Sequence, residues 1–207
     1  MKENSKILIL IAASLMFLSS VSIADGSRSN RDLISDSPVN SMVNGDLLDG
    51  TSTVVRHKDD VSFNFNTRHL TPGNAYTLWI MHFDKPRKCF DSCACTLSDF
   101  SNPDVTGGAI GAMAGRVADS YGQVSISNVV EYGVLPTGPA QVLIPNPIKN
   151  ERSHFILALR DHGPASSDLV VLEQQLSSWT GGCAINGCND VVISDHASPF
   201  CKVRNND

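Results

Sequence analysis

The chain has 207 residues, of which 42% are apolar and 18% are charged, with 15 glycines, 10 prolines and six cysteines. These proportions are typical of globular domains and exclude collagen-like, coiled-coil and wholly disordered proteins. Lys and Arg number 16 against 21 Asp and Glu, so the formal net charge is −5. Because this charge gives no general attraction to phosphate backbones, we expect no nucleic-acid partner.

The first 24 residues have the pattern of a cleaved signal peptide. Lys2 and Lys6 precede an apolar run at residues 7–18, and small residues at 22 and 24 mark a cleavage point after Ala24. The run is shorter than the roughly 20 residues that span a bilayer, and no later stretch is apolar enough to do so. We therefore predict a secreted or periplasmic protein without a transmembrane segment after cleavage. The alternative is an uncleaved membrane anchor.

Residues 25–50 form a polar segment that predicts a flexible N-terminal tail. Ser, Asp, Asn and Arg dominate it, and Pro38, Gly45 and Gly50 interrupt any regular period. Such a composition buries little apolar area. The alternative is a docking arm that becomes ordered on a partner.

From residue 51 the pattern is that of antiparallel strands. Residues 53–57 favour a short strand, and residues 61–66 alternate apolar and polar side chains, which indicates a half-buried strand. A turn rich in Pro and Gly at 70–74 leads into residues 75–83. Both faces of this last run are apolar, which predicts a central strand that is covered on both sides.

The second half of the chain continues the strand pattern and adds one helix. Strands are predicted at 107–118, 123–129, 141–144, 153–160 and 189–196, with a sharp end of the fourth strand at 161–164. A short helix is predicted at 169–179, with Ser167-Asp168 offering an N-cap. The alternation of strand and helix that builds parallel sheets is missing. We predict an all-β, mainly antiparallel fold: a single β-sandwich from residue 51 to 203 with cysteine-bearing loop inserts, followed by a polar tail at 204–207.

The cysteines fall into two clusters after the signal peptide: Cys89, Cys93 and Cys95, and then Cys183, Cys188 and Cys201. An even count in an exported chain predicts disulfides, although six cysteines allow 15 pairings and the spacing does not choose among them. Cys93 and Cys95 lie about 7 Å apart in an extended chain, which makes them poor partners for each other. The alternative is a thiolate metal site, but these spacings are unlike those of the usual zinc ribbons and fingers.

Several phrases in the chain resemble a family of exported bacterial proteins that has no established activity. They are Leu-Thr-Pro-Gly-x-Ala-Tyr-Thr-Leu-Trp at 70–79, Arg-x-His-Gly-Pro at 160–164, Gln-x5-Gly-Gly-Cys at 175–183, Cys-x-Asp-Val at 188–191, and His196. The phrase Leu-x-Pro-Gly-x-x-Tyr at 70–76 also resembles the strand corner of fibronectin-like and immunoglobulin-like sandwiches. The resemblance implies one domain and transfers no function.

The candidate binding residues lie at predicted strand ends and in the shared phrases. They are Arg160, His162, Gln175 and His196. His162 and His196 could converge at one end of the sandwich and bind a metal, since imidazole is a common ligand of copper and zinc. A second alternative is a reactive thiol in Cys93-Ala94-Cys95.

The function predicted from these observations is that of an exported, non-catalytic binding module. It presents its loops to a protein or glycan partner of unknown identity and needs no cofactor. No motif for nucleophilic catalysis occurs, and the scattered Asp and Glu residues do not indicate a glycosidase pair. The alternative function is that of a metal-binding or thiol-redox protein that uses His162 with His196, or Cys93 with Cys95.

Overall fold

A computed structural model describes residues 32–135, 141–183 and 187–201. In chain order its strands are β1 (Leu33–Ser37), β2 (Asn40–Ser41), β3 (Gly50–Arg56), β4 (Asp60–Thr67), β5 (Asn74–Phe83), β6 (Gly108–Val117), β7 (Val124–Glu131), β8 (Val142–Ile144), β9 (His154–Pro164) and β10 (Asn189–His196). The two α-helices are α1 (Pro103–Thr106) and α2 (Leu169–Ser177), and short 3₁₀ helices cover Pro86–Lys88 and Leu97–Ser101. The predicted signal peptide and the C-terminal tail at 204–207 lie outside the described residues.

The strands form two antiparallel sheets. The four-stranded sheet has the order β1-β3-β4-β7, and the six-stranded sheet has the order β2-β10-β9-β5-β6-β8. Every strand pair in both sheets is antiparallel. The predicted all-β sandwich with one short helix is therefore confirmed. The predicted N-cap is also present, because the Asp168 carboxylate accepts hydrogen bonds from the amides of Val170 and Val171.

The main hydrophobic core lies between the two sheets. Phe63 and Phe65 of β4 face Leu78 of β5, together with Phe155 and Leu157 of β9, and each of these side chains is at most 2% exposed. These positions alternate along each strand, so the period of two in the sequence selects the face that is buried. The opposite faces of β5 and β9 point away from this core.

A third layer covers the outer face of the six-stranded sheet. Residues 84–107, which we call the insert, pack Cys89 and Cys95 against Met81, Phe83 and neighbouring side chains of β5 and β9. Beside the insert, α2 lies so close to β6 that a side chain at Gly115 would collide with Leu176. The central strands are thus covered on both sides, as the apolar run at 75–83 predicts.

The predicted N-terminal tail is corrected by the structure for residues 33–41. β1 pairs with β3 in register over Leu33 to Ser37, and β2 pairs with β10. Val39 is fully buried, and the Thr53 hydroxyl donates to the Asp36 carboxylate at 2.6 Å. A polar segment can form an edge strand because backbone pairing and cross-strand hydrogen bonds do not require an apolar face.

The predicted end of the strand at 161–164 is also corrected, because β9 continues through Pro164. Asp161 holds this end of the strand: its carboxylate accepts two 3.0 Å hydrogen bonds from Asn74 Nδ2 and one of 2.7 Å from the Gly163 amide. Gly163 has a φ of +84°, a conformation that suits glycine. Pro164 is the last residue of the strand, where its missing N–H interrupts no further pairing.

Candidate functional site

Arg160 holds the loop residues 178–183 and 187–188 against the outer face of β9. Its guanidinium donates to the carbonyl oxygens of Trp179 at 2.7 Å and Cys188 at 3.1 Å, and to the Asp190 carboxylate at 2.7 Å. The guanidinium carbon lies 3.9 Å from the centroid of the Trp179 ring, which adds a cation–π contact. Since the residue is only 8% exposed, its donors serve the protein's own loop.

His162 lies two residues further along β9 and is fully buried. Its Nδ1 is 3.0 Å from the carbonyl oxygen of Gly181, and its Nε2 is 3.2 Å from the Thr77 hydroxyl. That hydroxyl also donates to the carbonyl oxygen of Gln175 at 2.7 Å. Burial lowers the pKa of His162, and the hydrogen bond to the carbonyl oxygen of Gly181 opposes this shift only in part.

Gln175 holds α2 against the same loop. Its amide nitrogen donates to the carbonyl oxygens of Pro164 at 3.0 Å and Gly182 at 2.9 Å, and its amide oxygen accepts from the Ser166 amide at 2.9 Å. The structure therefore brings Arg160, His162 and Gln175 together. Their side chains point inward, however, and support the loop residues 178–183 and 187–188.

The buried ring of His162 also contacts a disulfide. Cys183 and Cys188 are bonded to each other, and Cys188 Sγ lies 3.0 Å from His162 Nδ1. The nitrogen and the two sulfur atoms all lie within 4.8 Å of one another. No motif in the sequence marks this cluster, because the histidine and the nearer cysteine are 21 positions apart.

His196 does not join His162. It pairs with Phe155 in the register of β9 and β10, seven residues along the strand from His162. At ~3.3 Å per residue this separates the two positions by about 23 Å. The two histidines therefore cannot share a metal ion, and this part of the predicted metal alternative is wrong. Sequence alone could place both residues near strand ends but could not show that the ends are opposite ones.

His196 instead connects the two sheets. Its Nδ1 is 3.1 Å from the hydroxyl of Ser35 on β1, and its Nε2 is 2.7 Å from that of Ser52 on β3 and 3.1 Å from that of Ser194 on β10. Burial lowers the pKa of His196 to about 4, and the nearby Arg56 guanidinium contributes to the shift. Ser52 and His196 have the contact of a nucleophile and its base. Both are completely buried, so a substrate has no access to them.

The six cysteines form three disulfides: Cys89–Cys95, Cys93–Cys201 and Cys183–Cys188. The prediction that Cys93 and Cys95 are not partners of each other is confirmed. Because both are bonded, neither offers the free thiol on which the redox alternative depends. Three disulfides fit an oxidising compartment.

The insert displays one aromatic side chain that sequence reasoning missed. Phe90 is 98% exposed, although the loop that carries it is closed by Cys89–Cys95. The Asp99 carboxylate fixes this loop by accepting hydrogen bonds from the amides of Phe90 at 2.6 Å and Thr96 at 2.8 Å. Burial alone would raise the pKa of Asp99, but these hydrogen bonds outweigh it and the pKa is lowered. The signal in the sequence was an aromatic residue between two cysteines.

We expect Arg160→Ala to lower the free energy of unfolding by about 3 kcal/mol, because it removes one partner of a largely buried ion pair and leaves two carbonyl oxygens without their donor. The stability of Arg160→Lys should lie between that of this variant and that of the wild type. A lysine keeps the positive charge, but its ammonium group lacks the planar set of donors with which the guanidinium reaches all three acceptors. The measurement is urea unfolding followed by fluorescence. Arg68→Ala is the control, because Arg68 pairs with Asp49 at the surface and should contribute at most about 1 kcal/mol. Equal losses for the two alanine variants would contradict the assigned role.

Comparison with known proteins finds no matching family profile, no matching curated protein and no matching solved structure. In the part of the chain that the structure describes, no helix is both long and apolar enough to span a membrane.

Proposed function

We propose that the protein is a non-catalytic interaction module that binds an acidic protein partner through the loop that carries Phe90. The observation behind the proposal is the near-complete exposure of this phenylalanine on a covalently closed loop. An exposed aromatic side chain of this size is typical of an anchor that fills a pocket on a partner. Burying it would contribute about 1.5–3 kcal/mol.

The loop is held in one conformation before any partner arrives. A second disulfide joins Cys93 to Cys201, and the Cys93 amide donates to the carbonyl oxygen of Pro86 at 2.9 Å. Association normally loses free energy when a mobile loop has to become ordered. Since this loop is already fixed by two disulfides and by Asp99, a larger share of the contact energy can appear as affinity.

The basic residues that precede Phe90 favour an acidic partner. Lys85, Arg87 and Lys88 are all exposed, whereas Asp91 follows Phe90 directly and the Asp99 carboxylate accepts a hydrogen bond from its amide. Residues 85–88 thus carry three positive charges in a chain whose net charge is −5. Such a patch attracts an acidic surface and repels basic ones.

Two other partner classes are less well supported. A neutral glycan would gain little from the three basic side chains. A membrane would be contacted by a single phenylalanine and three positive charges. Stable membrane anchoring takes more than this, such as two lipid chains or one lipid chain with a polybasic patch. A protein surface with an apolar pocket and acidic rim uses both features at once.

Site-specific photo-crosslinking in the producing cells tests the proposal. Phe90 is replaced by a benzophenone-bearing amino acid, and the same replacement at Tyr121 serves as the control, since Tyr121 is a 79% exposed aromatic residue outside the insert. We expect a discrete protein adduct from position 90 that position 121 does not give. The adduct is identified by mass spectrometry and the partner is purified.

Affinity measurements with the purified partner then decide the assignment. Phe90→Ala is expected to weaken binding at least about tenfold, the effect of losing 1.4 kcal/mol, while Tyr121→Ala leaves it unchanged. Lys88→Glu should weaken binding most at low salt. The proposal is wrong if no adduct forms at position 90, if both positions give the same adducts, or if the protein sediments with anionic vesicles in a manner that depends on Phe90.

A further inference from the structure

We propose that His162, Cys183 and Cys188 form a zinc site once the Cys183–Cys188 disulfide is reduced. The three donor atoms already lie within 4.8 Å of one another, and Nδ1 of the histidine is 3.0 Å from Cys188 Sγ. This site lies at the end of β9 and does not depend on Phe90 or its partner.

The donor set suits zinc. Zinc prefers thiolate and imidazole ligands at about 2.0–2.3 Å in a tetrahedron, which places the ligand atoms roughly 3.3–3.8 Å apart. Opening the disulfide separates the two sulfur atoms into this range. The six cysteines as a set do not have the spacing of a zinc ribbon or finger, but the four residues between Cys183 and Cys188 are at the upper end of the two to four that commonly separate paired zinc ligands. The carbonyl oxygen of Gly181, 3.0 Å from Nδ1, or a water molecule can supply the fourth ligand.

Hydrogen bonds hold the ring of His162 in one orientation. Three contacts run in series from the carbonyl oxygen of Gly181 through the two ring nitrogens and the Thr77 hydroxyl to the carbonyl oxygen of Gln175. Nδ1 is thereby kept beside Cys188 Sγ, at 3.0 Å, on the side of the ring where a metal ion would be bound.

Metal binding selects one tautomer of His162. The contact from Thr77 to Gln175 is the shortest of the three, at 2.7 Å, and it takes the hydroxyl proton. The two contacts of the ring then share a single ring proton. A metal ion at Nδ1 requires the tautomer that carries this proton on Nε2, where the Thr77 oxygen accepts it. A zinc-bound histidine commonly donates its other N–H in this way.

Reduction is the step that creates the ligands. A thiolate of a dithiol reductant attacks Cys183 Sγ, the bond to Cys188 breaks, and Cys188 leaves as a thiolate beside His162. The second thiol of the reductant displaces Cys183, so the reductant becomes a disulfide and the protein gains two electrons and two protons. Zinc binding then releases these two protons from the thiols. Both cysteines are partly exposed, which gives the reductant access.

Cobalt titration of the reduced protein tests the site. The full chain is treated with a dithiol, the reductant is removed without air, and Co²⁺ is added and then displaced with Zn²⁺. We expect one equivalent of cobalt per chain with a thiolate charge-transfer band, and no such band for the oxidised protein. Alkylation followed by mass spectrometry should show the metal protecting Cys183 and Cys188 in the wild type.

Matched variants separate this site from the other cysteines. Cys183→Ser with Cys188→Ser should abolish the band, while Cys89→Ser with Cys95→Ser keeps it under the same reducing conditions. His162→Gln should weaken cobalt binding at least about tenfold. The proposal fails if the reduced wild type takes up no stoichiometric cobalt, if cobalt protects other cysteines instead, or if the oxidised protein gives the same band.

Discussion

Replacing Cys93 and Cys201 with serine is expected to lower the free energy of unfolding by about 4–5 kcal/mol. This disulfide spans 108 residues, and closing a loop of about 100 residues removes roughly 4.7 kcal/mol of chain entropy from the unfolded state. The disulfides Cys89–Cys95 and Cys183–Cys188 span six and five residues, for which the same relation gives about 2 kcal/mol each.

Guanidinium unfolding of the three double-serine variants is the measurement. The variant without Cys93 and Cys201 should lose the most stability, by at least about 2 kcal/mol more than either of the other two variants. Full reduction should lower the melting temperature of the wild type further than any single pair does. Equal losses for the long and the short loops would contradict the expectation.

Acidification between pH 6.5 and pH 4 is expected to destabilise the fold by about 6 kcal/mol. Burial lowers the pKa values of His82 and His196 to about 4 in the folded protein, despite the partly opposing charge of Asp84 beside His82. Each shift corresponds to roughly 3 kcal/mol at 1.36 kcal/mol per pKa unit. The pair therefore accounts for much of a typical stability of about 5–15 kcal/mol.

The sign follows from proton uptake. Below pH 6.5 the two histidines bind protons in the unfolded chain while the folded protein keeps them neutral, so stability falls as the pH falls. Below about pH 4 both states are protonated and these groups add no further slope. His162, whose pKa is also lowered, acts in the same direction.

Urea unfolding across this range measures the effect. His196→Gln should reduce the slope of stability against pH by up to about 1.4 kcal/mol per pH unit. His69→Asn serves as the control, since His69 is exposed and its φ of +64° is one that asparagine tolerates. A slope that His196→Gln leaves unchanged would show that the buried imidazole does not control acid stability.

The strands of the sandwich could be predicted because burial alternates along them. The strand predicted at 189–196 coincides with β10. The strand predicted at 75–83 begins one residue later than β5 does and ends at the same residue. β1 was missed because its pairing with β3, and not an apolar period, determines its conformation. The 3₁₀ helices of the insert were missed because disulfides and the Asp99 carboxylate hold them in place.

The candidate site could be predicted only in part. The sequence picked out Arg160, His162 and Gln175, which do lie together, but it could not show that their side chains face the protein. Cys183 and Cys188 lie beside His162 because of the course of the chain after α2. Contacts of this kind follow no strand or helix period, so the sequence pattern does not predict them. His196 was grouped with His162 on chemistry alone, and the register of β9 and β10 separates them.

The disulfide between Cys93 and Cys201 also governs what proteolysis can do to this protein. A single cut of the backbone anywhere between these two residues leaves both fragments covalently joined. β9 and β10 both lie within that span, and so do the loop residues 178–183 and 187–188. A nicked molecule would therefore keep its native mass, plus one water, on a non-reducing gel. Its fragments would separate only after reduction, which would also open the disulfide beside His162.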